Sequence, residues 1–375
     1  MAVHVLVCQR VASVQNIITL PATPHRTAPL DAIPPRRPHL RTDLPSPTQT
    51  PIRRTGFSNC LDPDPRGGQS CLPFIAHDDI PFRVVFNTSG SGKTRLLVEG
   101  LCRHWGIYFT PDTFPLLGST DFSLCLSDVA SYNEDGKVFT RTIPNSPNSR
   151  PKPLNLNRDI AQTMFQHILL ARLLVLKAFL LAGPDVPAAQ LRHRWTYLQL
   201  VPSALEHQFS GDEQDIFERV YEIIAQCRAS DRSQVLSLLA AIRQDSRLPS
   251  NSPFFVILDE AQVCAHLYEG AFHSEQGTGH GGTRSVLREI SVTWERFSKS
   301  KLAMIYSGTG FSLTKVMRSV ASSMVLYDKN SSTFTNTGAF VSQEQQSAYI
   351  MGHVTLESDK KEEVLRRAWR WLRGR

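Results

Sequence analysis

Residues 87–94 read N-T-S-G-S-G-K-T and have the residue types of a phosphate-binding loop. The pattern for such loops is G-x-x-x-x-G-K-[ST], in which small residues let backbone N–H groups turn towards an anion. Asn87 stands where this pattern has its first glycine. Asn tolerates a left-handed backbone better than most other residues, so we expect the substitution to perturb the loop and not to abolish it.

Residues 89–94 of this loop, the Walker A motif, have predicted roles. The backbone amides of 89–94 would surround the phosphates, Lys93 would contact the β- and γ-phosphates, and the Thr94 hydroxyl would bind Mg²⁺. The predicted nucleotide-binding residues are Ser89, Gly90, Ser91, Gly92, Lys93, Thr94 and Arg95.

A second motif, F-F-V-I-L-D-E at 254–260, is an apolar strand pattern that ends in two acids, as a Walker B motif does. Asp259 would hold Mg²⁺ together with Thr94, and Glu260 would polarise an attacking water. Because the activated group would be water and not a second substrate, the pair predicts hydrolysis. Lys93 and Glu260 are therefore the first candidate catalytic residues.

A third motif, L-A-M-I-Y-S-G-T-G at 302–310, is an apolar strand pattern followed by small and polar residues. Some nucleoside triphosphatases have an additional strand between the strands of the first two motifs, with a polar residue at its end that senses the γ-phosphate. Ser307 and Thr309 are candidates for this role, and a simple turn of small residues is the alternative. Arg284 and Arg288 are candidates to reach a nucleotide in cis or across a subunit boundary, or else belong to a solvated helix face.

Strand patterns that alternate with helix patterns predict an α/β fold with a parallel sheet flanked by helices. The predicted strands are 82–86, 121–128, 254–260 and 302–306. The predicted helices are 94–105, 158–182, 186–200, 212–227, 231–243 and 284–299, and residues 131–157 are predicted to be a loop. The helices from 158 to about 245 form an insert between the first two motifs, and a basic helix ends the chain.

Composition divides the chain of 375 residues into two parts. Residues 1–75 are predicted to be a disordered leader rich in Pro and Arg, because such a segment cannot bury enough apolar area to offset its ordering entropy. Residues 1–55 contain seven Arg and two Asp, so most of the formal net charge of +7 belongs to the leader. Residues 76–375 are predicted to form one domain.

Cysteine use and hydropathy limit the compartment. The seven cysteines are scattered and odd in number, which favours a reducing compartment over a disulfide framework. The most apolar run, 168–183, is interrupted by Arg172 and Lys177 and is predicted to be a core helix and not a membrane span. An intracellular location, cytoplasmic or nuclear, is expected, with secretion as the alternative.

The wording of the motifs resembles the P-loop NTPase region of Crinkler-like proteins of fungi, basidiomycetes in particular. The resemblance covers about residues 80–375 and rests on T-S-G-S-G-K-T-R-L-L-V-E-G-L, F-F-V-I-L-D-E-A-Q, V-L-R-E-I-S-V-T-W and S-G-T-G-F-S. It implies an NTPase that regulates or energises an effector, often a nuclease. Since no nuclease motif is recognised in the sequence, we expect an NTPase module without its effector domain.

The sequence therefore predicts a P-loop NTPase of the additional-strand class that binds ATP and Mg²⁺ and hydrolyses the ATP. One alternative is a switch that binds nucleotide without hydrolysis. The other is an effector associated with nucleic acid, in which the basic leader and the last helix contact phosphates. Self-association and an effector partner are further expectations that the sequence leaves open.

Overall fold

The computed structural model describes residues 82–87, 92–111, 117–134, 136–141, 151–202, 215–227, 232–248, 252–273, 283–297, 302–309, 331–334, 342–353 and 361–372. The predicted leader and residues 88–91 of the phosphate-binding motif lie outside these ranges.

Strands and helices alternate along the described chain. The strands are β1 Phe82–Asn87, β2 Gly106–Phe109, β3 Asn133–Glu134, β4 Lys137–Val138, β5 Phe254–Leu258, β6 Phe272–His273, β7 Thr283–Arg284, β8 Leu302–Thr309 and β9 Ser331–Phe334. The helices are α1 Lys93–Arg103, α2 Asp121–Ser131, α3 Pro151–Ala182, α4 Ala188–Leu200, α5 Ile216–Cys227, α6 Arg232–Arg243, α7 Ala261–His266, α8 Val286–Glu295, α9 Gln343–His353 and α10 Lys361–Leu372.

The central sheet has five strands in the order β2-β5-β8-β1-β9. Every neighbouring pair is parallel, so the predicted α/β fold with a parallel sheet is confirmed. β8 lies between β5 and β1, with Leu258 opposite Tyr306 and Asn87 opposite Thr309. Because parallel strands end at the same edge, the residues that follow β1, β5 and β8 share one edge of the sheet.

Both faces of the sheet are covered, as a parallel sheet requires. Consecutive strand residues point to opposite faces, so each strand supplies both layers. Ile257 belongs to a cluster with Leu97 of α1 on one face. Its neighbour Val256 belongs to a larger cluster with Phe165 of α3 and Trp294 of α8 on the other face.

The long helix α3 forms the centre of the larger layer. Among the described residues, the segment Lys152–Ala182 is long and apolar enough to cross a membrane, judged by length and composition alone. In its most apolar window 78% is buried inside the protein, and it contacts α2, α5, α6 and α8. This packing is that of a core helix.

A buried ion pair joins α3 to α2 within this helical layer. The guanidinium of Arg172 on α3 donates to both carboxylate oxygens of Asp121 on α2, at 2.6 and 2.7 Å. Its central carbon lies 3.9 Å from the ring centroid of Phe217 and 5.1 Å from that of Phe109. The charge that interrupts the apolar run in the sequence is therefore paired with a carboxylate and packed against aromatic rings inside the protein.

The outer edge of β2 is covered by α4 side chains. Trp195 Nε1 and Gln199 Nε2 donate to the carbonyl of Gly106, at 2.7 and 3.3 Å. The backbone N–H of Tyr108 donates to Gln199 Oε1 at 2.9 Å. Side chains thus satisfy backbone groups that an edge strand otherwise leaves open.

The predicted strand at 121–128 is wrong. These residues begin α2, and the buried side chains Phe122, Cys125, Leu126 and Val129 recur at helical spacing. Over so short a stretch, the pattern of apolar and polar residues at 121–128 fits both the period of a helix and the period of a strand. The strand before this helix is instead β2, which the sequence analysis did not predict.

The predicted loop at 131–157 is also partly wrong. It contains the antiparallel pair β3–β4 and the first turns of α3, which begins at Pro151 and not at Arg158. Pro is well suited to the first turn of a helix because its missing N–H has no intrahelical partner there. The other predicted helices are present, with ends that differ by a few residues.

One buried histidine makes the stability of the fold dependent on pH. His167 on α3 is 3% exposed, and its two ring nitrogens have no hydrogen-bond partner among the described residues. Burial lowers the pKa of His167 to about 4. As the pH falls, His167 in the unfolded chain therefore takes up a proton near its ordinary pKa of about 6.5, at a higher pH than His167 in the native state.

We expect the free energy of unfolding to fall by about 2 kcal/mol between about pH 7.5 and pH 5 through this residue. His167→Leu should remove this part of the pH dependence, measured by urea unfolding at the two pH values. His266→Gln, at an exposed position, should keep it. An equal pH dependence in the parent and His167→Leu would contradict the prediction.

Candidate functional site

The predicted phosphate-binding motif runs from the end of β1 to the start of α1. Gly92 precedes the helix with φ 87° and ψ 15°, a left-handed conformation that glycine adopts without strain. Its carbonyl accepts the N–H of Leu96 at 3.0 Å, so Lys93 and Thr94 open the helix. Asn87 is the last residue of β1 and is extended opposite Thr309. Because its backbone is not left-handed, the expected reason for tolerating Asn at this position, its ability to adopt a left-handed backbone, does not apply.

A hydrogen bond joins the first two sequence motifs. Thr94 Oγ1 donates to Asp259 Oδ2 at 2.7 Å, across 165 residues of sequence. Thr94 lies in the first turn of the helix that follows β1, and Asp259 directly follows β5. The sheet brings the two residues together because both strands end at the same edge.

Asp259 is 2% exposed and accepts hydrogen bonds on both carboxylate oxygens. Tyr108 Oη donates to Oδ2 at 3.0 Å, and the backbone N–H of Glu260 donates to Oδ1 at 3.1 Å. The Asp259 N–H in turn donates to the carbonyl of Phe109 at 2.9 Å. Burial raises the pKa of Tyr108, and the charge of Asp259 raises it further, so Tyr108 stays a neutral donor.

Tyr108 was not among the predicted site residues. It lies on β2, whose four residues G-I-Y-F were not recognised as a strand. The signal in the sequence is a short apolar run that ends at Thr110-Pro111, and such a run bounded by a proline is typical of a buried strand.

Lys93 is a buried cation beside the two acids. Burial lowers the pKa of Lys93, and the carboxylates of Glu260 and then Asp259 oppose that shift. A polyphosphate bound at the start of α1 would add negative charge near Lys93 and favour its charged form. The position thus suits a lysine that binds an anion.

Glu260 has an unusual backbone. Its φ is 51° and its ψ 38°, a left-handed conformation that is uncommon for residues other than glycine. It precedes α7, and its half-buried carboxylate accepts a hydrogen bond from Gln262 Nε2. Left-handed non-glycine residues are concentrated at functional sites, where the surrounding structure holds them in place.

The third motif ends beside these residues. Ser307 is 1% exposed, and its hydroxyl has no hydrogen-bond partner among the described residues. It is the residue after Tyr306, which lies opposite Leu258, so Ser307 and Asp259 follow paired positions on neighbouring strands. Thr309 is half-buried and ends β8 opposite Asn87. The unsatisfied Ser307 hydroxyl can donate to an anion at this edge.

Two of the predicted arginines, Arg95 and Arg288, are held by other contacts. Arg95 is exposed on α1 and pairs with Glu99, with Nε to Oε1 at 2.6 Å. Arg288 is 4% exposed and donates from Nη1 to Glu289 Oε1 at 2.9 Å. The alternative of a solvated helix face is therefore wrong for Arg288. Arg284 is half-buried, and its burial and then the nearby charge of Arg288 lower its pKa.

The structure thus brings four predicted residues together at the C-terminal edge of the sheet: Lys93, Thr94, Asp259 and Glu260. Ser307 and Thr309 end the strand between them, and Ser89, Gly90 and Ser91 lie outside the described residues. A hydroxyl and a carboxylate in contact are oxygen ligands of the kind that Mg²⁺ prefers.

Comparison of the chain with family models, curated proteins and solved structures gives no match.

Tyr108 should tune the affinity of a cation held at Asp259. Partners that orient a ligating carboxylate change metal affinity by about 10- to 100-fold, and we expect Tyr108→Phe to weaken binding of Mn²⁺, used as a probe for Mg²⁺, by that factor. Binding is measured by electron paramagnetic resonance in the presence of ADP. Tyr197→Phe, at an exposed position, is the matched control. Equal Mn²⁺ affinity in the parent and Tyr108→Phe would contradict the role of Tyr108.

Proposed function

We propose that the chain binds ATP with Mg²⁺ and hydrolyses the ATP, as a P-loop NTPase of the additional-strand class. The observation that carries the proposal is the hydrogen bond of 2.7 Å between Thr94 and Asp259. It joins the hydroxyl of the Walker A motif to the first acid of the Walker B motif, which are the two groups that hold Mg²⁺ in such enzymes.

The direction of this bond suits metal binding. Thr94 Oγ1 donates a hydrogen bond to the carboxylate, so the lone pairs of the hydroxyl oxygen remain available to a cation. Asp259 keeps its position through the Tyr108 and Glu260 hydrogen bonds on its two oxygens. A hydroxyl oriented before the metal arrives loses less entropy when it binds.

The strand order supports the subclass. β8 lies between β1, which leads into the Walker A motif, and β5, which leads into the Walker B motif. The polar residues at the end of β8 therefore flank both motifs. This is the position from which Ser307 or Thr309 would contact a γ-phosphate.

The proposed mechanism is mainly positioning and charge stabilisation. Mg²⁺, when bound, supplies positive charge that offsets the charge of the β- and γ-phosphates. Lys93 stabilises the same phosphates, and Glu260 orients a water and accepts its proton. The water oxygen bonds to the γ-phosphorus as the bond to the bridging β–γ oxygen breaks, which releases ADP and inorganic phosphate.

The proposal includes the resemblance to the NTPase region of fungal Crinkler-like proteins. In that group the NTPase regulates or energises an effector, so we propose a regulatory module whose partner is an effector or a second copy of the chain. The quoted motifs support this part of the proposal.

The test is Mg²⁺-dependent ATP hydrolysis by the full chain. We expect Glu260→Gln to lower kcat by at least about 100-fold with ATP binding retained, because general bases contribute about 10²- to 10⁴-fold. Lys93→Ala should weaken ATP binding by about 10- to 100-fold, since a charged hydrogen bond contributes about 1.5–3 kcal/mol. Release of phosphate and isothermal titration calorimetry with ATP measure the two effects.

The matched controls Glu269→Gln and Lys137→Ala change exposed residues of the same types and should behave as the parent. ATP binding without turnover, equal in the parent and Glu260→Gln, would replace the enzyme with a nucleotide-dependent switch. A folded parent that binds no ATP would overturn the proposal. Binding of a DNA oligonucleotide that falls steeply with salt and survives Lys93→Ala would favour the nucleic-acid alternative.

A further inference from the structure

Gln262 is a side chain that donates a hydrogen bond to the carboxylate of Glu260. It lies in the first turn of α7, where its Nε2 donates to Glu260 Oε2. Glu260 has a left-handed backbone and directly precedes α7, and the side chain two residues later reaches its carboxylate. Glu260 is thus held by an uncharged amide, which cannot take up a proton in place of the Glu260 carboxylate.

The other end of the Gln262 amide faces β8. Gln262 Oε1 is buried and has no hydrogen-bond partner among the described residues. A Cβ added at Gly308 would lie 2.6 Å from this oxygen, so the amide packs against the backbone of the strand. The contact requires residue 308 to have no side chain. The backbone conformation does not itself call for a glycine, since Gly308 is not among the residues with positive φ.

Gly308 separates the two residues proposed to sense the γ-phosphate. Ser307 precedes it with a buried hydroxyl that has no partner among the described residues, and Thr309 follows it at the end of β8. A phosphate contact at either residue would affect the position of the backbone at Gly308, which lies between them. The Gln262 amide lies between this backbone and the carboxylate of Glu260.

The geometry points to Gln262 as a positioning residue that couples the end of β8 to Glu260. It sets the direction of the carboxylate through its Nε2 and is itself held by the strand through its contact with Gly308. Occupation of the γ-phosphate position is thereby linked to alignment of the group that orients water. This inference rests on the proposed hydrolysis and adds to it the way in which the site is regulated.

The first test is Gln262→Ala in the full chain. We expect kcat to fall on the order of 100-fold, the scale of a misplacement of about 1 Å. KM and the Kd for ADP should be unchanged, because the substitution leaves Lys93 and Thr94 in place. Gln190→Ala, at an exposed position on α4, is the matched control, and urea unfolding checks that every variant is folded.

The second test uses the space at residue 308. In Gly308→Ala the new methyl group must displace the Gln262 amide, so we expect a loss of kcat similar to that of Gln262→Ala. The double variant has no amide to displace and should show the kcat of Gln262→Ala alone. Effects that fail to add identify two residues that act through one contact.

The outcomes separate this inference from the proposed function. A parent that hydrolyses ATP, with Gln262→Ala unchanged or faster, overturns the role of Gln262 and leaves the hydrolase in place. Losses that add in the double variant overturn the contact with Gly308 as the route of coupling. A rise in the Kd for ADP that accounts for the whole loss of activity would make Gln262 a binding residue. A parent without ATP hydrolysis overturns both proposals.

Discussion

A buried carboxylate must be hydrogen-bonded, and much of the site follows from this requirement at Asp259. Its donors come from separate parts of the chain: the Thr94 hydroxyl on α1, the Tyr108 hydroxyl on β2 and the N–H of the adjoining Glu260. These donors converge only if β2, β5 and β1 end at the same edge of one sheet. The strand order that brings these donors together is therefore also what allows the charged carboxylate of Asp259 to be buried.

The turns next to the site use left-handed backbone in different ways. Gly92 adopts it without strain, and the position leads directly into α1. Glu260 adopts it at a cost on the order of 1 kcal/mol. The hydrogen bonds that its N–H and its carboxylate make help to hold it there.

The apolar runs at 82–86, 254–258 and 302–306 predicted three of the five strands of the sheet, because a buried parallel strand is a continuous apolar run. The strand at 106–109 was missed because four residues are too few to show a period, and 121–128 was misread for a similar reason. Lys93, Thr94, Asp259 and Glu260 could be identified from local patterns. Tyr108 and Gln262 could not, since their roles depend on partners that only the strand order and the Glu260 turn bring within reach.

The cover of β2 by Trp195 and Gln199 also bears on whether further strands can add to this sheet. Exposed edge strands are where folded proteins recruit further strands and begin to aggregate. Here the amide and carbonyl that a foreign strand would need at Gly106 and Tyr108 are already bonded to side chains of α4. Growth of the sheet from this edge would first require α4 to detach, so the helix acts as a barrier against misassembly next to the site.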